Sequence, residues 1–400
     1  MAGEFQRVER DVPDVLDDIR DPNSTLAARI VVDMSDEIHL YDPNAAPFVT
    51  FTKEFRDKRE ATQYRYDTME KEPMPRAMVT TAAATSGATT VVVTEGHWER
   101  TRAFDLLLNL RTREVLAVGA TPTTTSVTVV RQIGSSAGAA IEAGDTLLII
   151  SNAHEDGARS GDIKTVAETS DFNYTQIVRR KYGWSGRQAK TKMYGGSDIE
   201  TERRWQGIEH EKEIEYALLF GRRHSRTGAN GRLITSTGGV ESFLRSLVWD
   251  LDGLPLLERS WIEFLEEGMR YGDGGFQNGN STKYFICGSR LITIINGWAQ
   301  DRLQYEVMDD VIGFKAMKYQ SPHGDVFILK SAILDEYHPD YGFLIDFNHI
   351  RYAYHTGRDT VLVKNREEND SDSMEEEWIS DVGLDMELEG SCALIRGAEL

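Results

Sequence analysis

His210 and Glu211 are adjacent and of the types that hold a zinc ion and activate its water. A zincin helix needs a second histidine one turn on, and position 214 is Ile. No Gly-x-Ser-x-Gly elbow occurs, and no Cys/His pair stands at a nucleophile's spacing. Glu266-Glu267 and Asp309-Asp310 have the chemistry of a glycosidase couple. In a chain with 65 acidic residues such pairs arise trivially, and they define nothing without a shaped pocket. The glycine-rich stretch Gly272 to Asn280 lacks the Lys-Ser/Thr of a phosphate loop and precedes a strand pattern instead of a helix. The two cysteines, Cys287 and Cys392, lie in apolar surroundings and read as buried inert thiols, with no disulfide framework and no metal spacing. The expectation is therefore no catalytic residue, no cofactor and no metal: the chain is not an enzyme.

The remaining chemistry is charge. Arg179, Arg180, Lys181, Arg187, Lys190 and Lys192 interleave with Tyr174, Tyr182, Trp184 and Tyr194, a pattern that suits nucleic acid. The same cluster suits acidic surfaces on sister chains. With 45 basic against 65 acidic residues the formal net charge is -20, which opposes wrapping around nucleic acid and favours the pairing reading.

These residues lead into a long, heavily charged helix over Ser197 to Arg223. Gly195 and Gly196 free the backbone before it, Ser197 is its N-cap, and Glu200 stands at capping-box spacing. Asp198, Glu200 and Glu202 crowd its start, Gly221 stops it, and Arg222 and Arg223 follow, as its dipole favours. Trp205, Ile208, Ile214, Leu218 and Leu219 make a thin apolar stripe. A helix polar nearly all round spans an exposed surface or lies against other molecules. Glu200 can pair with Arg204. Glu209 and Glu213, like Glu211 and Glu215, set like charges one turn apart, which cations from partner chains would relieve.

The 400 residues are 40% hydrophobic and 28% charged, a globular composition with room for two or three structural units. The polar, acidic first residues carry no secretory signal, and no apolar run approaches a membrane span, so a reducing, aqueous compartment is expected. Residues 1 to 45 read as an arm interrupted by Pro13, Pro22 and Pro43, with short apolar anchors. Pro47 to Phe51 is a further apolar cluster that could dock on something, and 51 to 79 is extended and polar. From 80 to 152 Thr, Ala, Ser, Gly and Val dominate. Strands at Thr90 to Thr94, Val115 to Val118, Val127 to Arg131 and Thr146 to Ile150 mark an inserted all-β domain. Helices are expected over Val240 to Trp249, Leu256 to Tyr271 and Ser289 to Ala299. Strands are expected at Lys283 to Cys287, Phe314 to Tyr319, Asp325 to Leu329, Tyr341 to Phe347, Ile350 to Tyr354 and Thr360 to Val363. Asn365 to Glu377 reads as a solvated acidic loop, and Val382 to Ile395 as a strand pair.

The order of these units resembles the major capsid proteins of tailed bacteriophages with the Hong Kong 97 fold, in particular those with a β-domain inserted in the extended loop. Three stretches carry the resemblance. Thr90 to Thr94, Arg113-Glu114-Val115 and Val127 to Arg131, ending in Gly144-Asp145-Thr146 and Asn152-Ala153-His154-Glu155-Asp156-Gly157, look like that insert and its exit. Asn173-Tyr174-Thr175-Gln176-Ile177, leading to Glu209 to Gly221, looks like the return strand and spine helix. Thr356-Gly357-Arg358-Asp359-Thr360 and Val382-Gly383-Leu384 look like closing strands.

The resemblance implies an α+β fold: arm (1-45), extended loop and peripheral strands (46-79 and 153-196), inserted β-domain (80-152), spine helix and peripheral domain (197-238), axial domain (239-349) and peripheral strands (350-400). It implies a virion protein that self-assembles in the host cytoplasm into hexamers and pentamers of an icosahedral head enclosing double-stranded DNA. Its partners are many copies of itself, with scaffold, portal and decoration proteins, and no membrane. The residues expected at contacts between subunits are Arg179, Arg180, Lys181, Arg187, Lys190, Lys192, Arg203, Arg204, Glu209 and Glu213. The alternative is an acidic carbohydrate-active or glycan-binding protein with a β-module, which would be a monomer with a carboxylate-lined cleft.

Overall fold

A computed structural model describes residues 46-71, 73-134, 138-157, 163-191, 198-271, 282-298, 303-307 and 315-399. The chain divides into a unit of 65–173 and a unit formed by its two flanks. Gly195, Gly196, Ser197 with its N-cap, Lys192, Gly272 to Asn280 and Asp309-Asp310 lie outside the described residues.

The unit 65–173 is all-β. Its six-stranded sheet runs in the order 77–79, 146–152, 105–109, 115–118, 126–133 and 90–92. Alternation of β-branched and polar residues along Ser126–Ile133 sends Val127 and Val129 inward, and the pleat of Asp105–Asn109 sends Leu107 inward beside Val91, Leu116 and Leu147. Two arginines close the turns. Arg131 forks onto Glu114 at 2.6 Å with both side chains buried, and Arg111 grips Asp145 at 2.6 Å. Asp145 also accepts the Glu142 N–H, which fixes the turn at Gly144 before the last strand. Strands 65–70 and 169–174 form a separate ribbon.

Among the described residues the other unit has six helices: α1 Pro47–Glu54, α2 Asp198–Phe220, α3 Val240–Phe243, α4 Glu258–Gly268, α5 Ser289–Trp298 and α6 Ala332–Tyr337. It holds two principal sheets. One pairs Arg59–Ala61 in parallel with Ile350–His355, then Ser373–Met386 antiparallel to that strand, to Gln176–Ser185 and to Val361–Val363. The other has seven strands in the order 248–250, 393–396, 342–345, 282–287, 324–330, 315–321 and 303–307. One core joins α1, α2 and the first sheet, and another packs α4 and α5 on the second. Trp261, Phe264, Phe285 and Tyr319, all fully buried, anchor the latter. The class is α+β, as expected.

Three expectations fail for physical reasons, and a fourth, the docking of Pro47 to Phe51, takes the form of a helix. Pro47 to Phe51 is the start of α1, with Pro47 at a first-turn position where its missing N–H is harmless. Phe51 and Phe55 lie one turn apart and pack over Tyr284 and Phe347, so this helix is core. The helix expected over Val240 to Trp249 stops at Phe243, because Glu389 captures the Ser246 N–H at 2.7 Å and Val248–Asp250 joins a parallel pair with Leu394–Arg396. The solvated loop of Asn365 to Glu377 ends early: from Ser373 it is strand, with Glu376 and Glu377 buried. Val382 to Ile395 contributes to two different sheets rather than one strand pair.

Lys283 shows how this unit tolerates polarity inside. It is fully buried, and its ammonium donates to the carbonyls of Gly268, Tyr271 and Ser391 at 2.6, 2.7 and 2.5 Å. The charge sits at the C-terminal end of α4, where carbonyls lack helical partners and the dipole favours a cation. Burial pushes the Lys283 amine below its ordinary value. Lys283→Met would leave all three carbonyls without this donor. The expected loss is about 3 kcal/mol of unfolding free energy, measured by denaturant titration of the soluble subunit.

Candidate assembly surface

Strand Ser373–Met386 carries a row of carboxylates that the fold neutralises from several directions. Arg203 of α2 forks onto Glu376 with contacts of 2.7 and 2.8 Å, and Tyr182 donates to the same carboxylate at 3.1 Å. Arg179 reaches Glu377 at 2.7 Å, and Arg366 approaches it at 3.4 Å. Arg358 lies 3.6 Å from Asp381, and Arg59 lies 2.8 Å from the buried Asp385. Arg203 holds Glu376 below its usual range, so its stabilising charge is present at neutral pH and lost as pH falls through that depressed value.

Helix α2 lies against this sheet. Its apolar positions Ile214, Leu218 and Leu219 are fully buried, as are His210 and Glu215 between and above them. The expectation of a helix outside its own core is therefore corrected: the stripe is thin because polar residues occupy part of the buried face. His210 contacts the Ser380 hydroxyl at 2.7 Å, and Ser380 donates to Thr360 at 2.9 Å. Burial, helped by Arg180 and Lys53, drives His210 down to about 4, so it is neutral. Glu211 is 3.7 Å from Lys53, so the adjacent His210 and Glu211 serve different contacts. Gly207 leaves room for the Trp378 indole, which a Cβ would meet at 3.4 Å. At the helix end a Gly221 Cβ would meet the Thr237 carbonyl oxygen at 2.6 Å; the small residue permits that approach, and Gly239 N–H donates to the Gly221 carbonyl at 2.8 Å.

Of the residues expected at contacts between subunits, most already hold an acid or base of their own chain. Arg180 contacts Glu213 at 2.5 Å and Glu209 at 3.8 Å, so a cation from the adjoining strand separates the two like charges on α2. Lys212 adds a contact to Glu209 at 3.3 Å. Lys181 pairs with Glu375, Arg179 with Glu377 and Arg203 with Glu376. Arg187, Lys190 and Arg204 are exposed and make no ion pair among the described residues. Glu266 and Glu267 are exposed on α4, where Glu267 accepts the Trp249 indole N–H at 3.1 Å. Cys287 and Cys392 are buried free thiols, and burial pushes both up, away from reactive thiolate.

The sequence reading of Glu215 as a charge needing a cation from a partner chain is corrected: the side chain is fully buried. Its carboxyl accepts the Val49 N–H at 3.2 Å, tying α2 to the first turn of α1. Burial raises it to about 8, opposed by the α1 N–H groups and reinforced by Glu211. The folded value exceeds the unfolded one, so this contribution to stability is complete at acid pH and lost as pH rises through about 8. Glu215→Gln keeps the shape without the titration. Between about pH 6 and about pH 9 the thermal midpoint is expected to fall more steeply for the wild type than for the variant, by differential scanning calorimetry.

Residues 19–399 match a family model described as SU10 major capsid protein. No curated protein matches the chain. Among solved structures, the capsid of the native GTA particle is similar at 10% identity and a TM-score of 0.46, covering 93% of this chain and 96% of that one. The Mycobacterium phage Patience structure is similar at 11% identity and a TM-score of 0.41, over 62% of this chain and 78% of that one. The holo-SrpI encapsulin complex of Synechococcus elongatus PCC 7942 gives 9% identity and a TM-score of 0.40, over 60% and 78%.

Proposed function

The chain belongs to the SU10 major capsid protein family, and from that premise we propose that its copies pack as hexamers and pentamers of an icosahedral phage head around double-stranded DNA. The family match over residues 19–399 is the observation that carries this reading. It is a structural protein of the virion shell. That it has no catalytic activity of its own, assembles in the host cytoplasm and meets portal, scaffold and decoration proteins belongs to the same proposal.

The charge distribution supports it. A net charge of -20 keeps a concentrated protein soluble and weakens adhesion to DNA. The unit 65–173 is taken as the extended loop with its inserted β-domain, the second sheet with α4 and α5 as the axial domain, and the first sheet with α2 as the peripheral domain. Residues 1-45 are taken as the arm. Among the described residues, Arg187, Lys190 and Arg204 are the members of the expected contact set that make no ion pair, and they are assigned to neighbours. Arg179, Arg180, Lys181, Arg203, Glu209 and Glu213 would meet neighbours only with the charge left over from their own pairs.

Purified protein is expected to sediment as closed shells visible by electron microscopy. A compact monomer at every concentration and salt would overturn the reading. The double variant Arg187→Glu, Lys190→Glu is expected to lower shell yield about tenfold with the subunit's melting temperature unchanged, since exposed charges contribute little to folding.

A further inference from the structure

One hairpin and one groove of the flanking unit carry complementary charge and apolar surface. The hairpin pairs His224–Thr227 with Leu233–Ser236, just after α2. It is a two-stranded ribbon whose second strand lies beside Gln176–Ser185. Its base is fixed by Thr235, whose hydroxyl donates to the Thr175 carbonyl at 2.6 Å. Towards its tip Leu233 and Ile234 are 50% and 45% exposed. Arg226 stands opposite Ile234 in the register, so the two share a face. Arg226 and Arg232 are exposed and make no ion pair among the described residues.

The groove lies between α2 and α6 and encloses about 500 Å³. Trp205, Tyr216 and Tyr337 wall it, and Tyr337 is 67% exposed. Its two cations are engaged: Arg180 with Glu213 and Glu209, Lys212 with Glu209. Glu336 is exposed at its rim, makes no ion pair among the described residues, and pushes up the neighbouring Tyr337 phenol. The groove's spare charge is therefore negative, set among aromatic faces. The hairpin's spare charge is two guanidinium groups beside two aliphatic side chains. Guanidinium stacks on aromatic rings and pairs with carboxylate at once, which lysine does less well.

We propose that the 224–236 hairpin of one copy seats in the α2/α6 groove of the next, with Arg226 or Arg232 against Glu336 and Ile234, on the same face as Arg226, on the aromatic wall. The two patches differ, so the contact is head-to-tail and closes into a ring when the rotation permits. This deepens the capsid reading and rests on it for the identity of the partner, a second copy of the chain.

The test is a charge swap, read by sedimentation and electron microscopy. The hairpin variant Arg226→Glu, Arg232→Glu and the groove variant Glu336→Arg are each expected to lower the assembled fraction about tenfold. Combining the three substitutions is expected to restore it. Circular dichroism and the melting temperature identify any variant that fails to fold. Should the hairpin variant fail in this way, Glu336→Arg alone against Glu336→Gln, which removes charge without reversing it, decides the matter: the reversal must be the more damaging. Normal assembly of the reversed variants, or failure of the combination to restore it, overturns the contact. If the wild type associates but never closes shells, and reversal still abolishes association, the contact stands and the capsid reading falls.

Discussion

Neutralising the acidic strand Ser373–Met386 is the constraint that the rest of the flanking unit obeys. Four of its carboxylates, on Glu376, Glu377, Asp381 and Asp385, are buried. Each would be costly alone, and removing a single partner from such a pair exposes that cost. The arginines that meet them come from separate stretches: Arg59 beside α1, Arg179 on the return strand, Arg203 on α2, and Arg358 and Arg366 in the closing segments. Ion pairing thus fixes which strands lie beside this one, while the apolar residues Val382 and Leu384 set which face is inward.

The same logic makes α2 possible. Helices with so little apolar surface seldom hold a core position, yet α2 is a wall of the first core. It manages this with a neutral histidine, a carboxyl that accepts an N–H from another helix, and an arginine spanning two glutamates. Each buried polar group has a named role, so polarity here specifies partners more than it adds stability.

Much of the architecture was legible in the sequence because the signals were local. The inserted β-unit announces itself through short β-branched runs between turn residues, and strands at Val115–Val118 and Thr146–Asn152 stand where the pattern put them. The long helix and the buried cysteines were legible for the same reason. What could not be read was pairing across hundreds of residues. Pro47 to Phe51 looked like a loose anchor because Tyr284 and Phe347, which it covers, are far along the chain. Glu376 and Glu377 looked solvated because their arginines are remote in sequence. Glu209 and Glu213 looked as though they needed foreign cations because Arg180 precedes the helix. Charge patterns give composition locally and partners only in three dimensions.

The register of the first sheet bears on the order of events during synthesis. Arg59 and Asp385 are 326 residues apart, and Arg179 and Glu377 are 198 apart. Strands translated early must wait for one translated late, and the sheet on which α2 lies stays incomplete until Ser373–Met386 has left the ribosome. Loop closure over such distances is slow, and the waiting chain shows unpaired edges. A nascent subunit therefore cannot complete this sheet before most of it has been made, so chains that stop short of the late strand lack part of the surface on which the long helix rests.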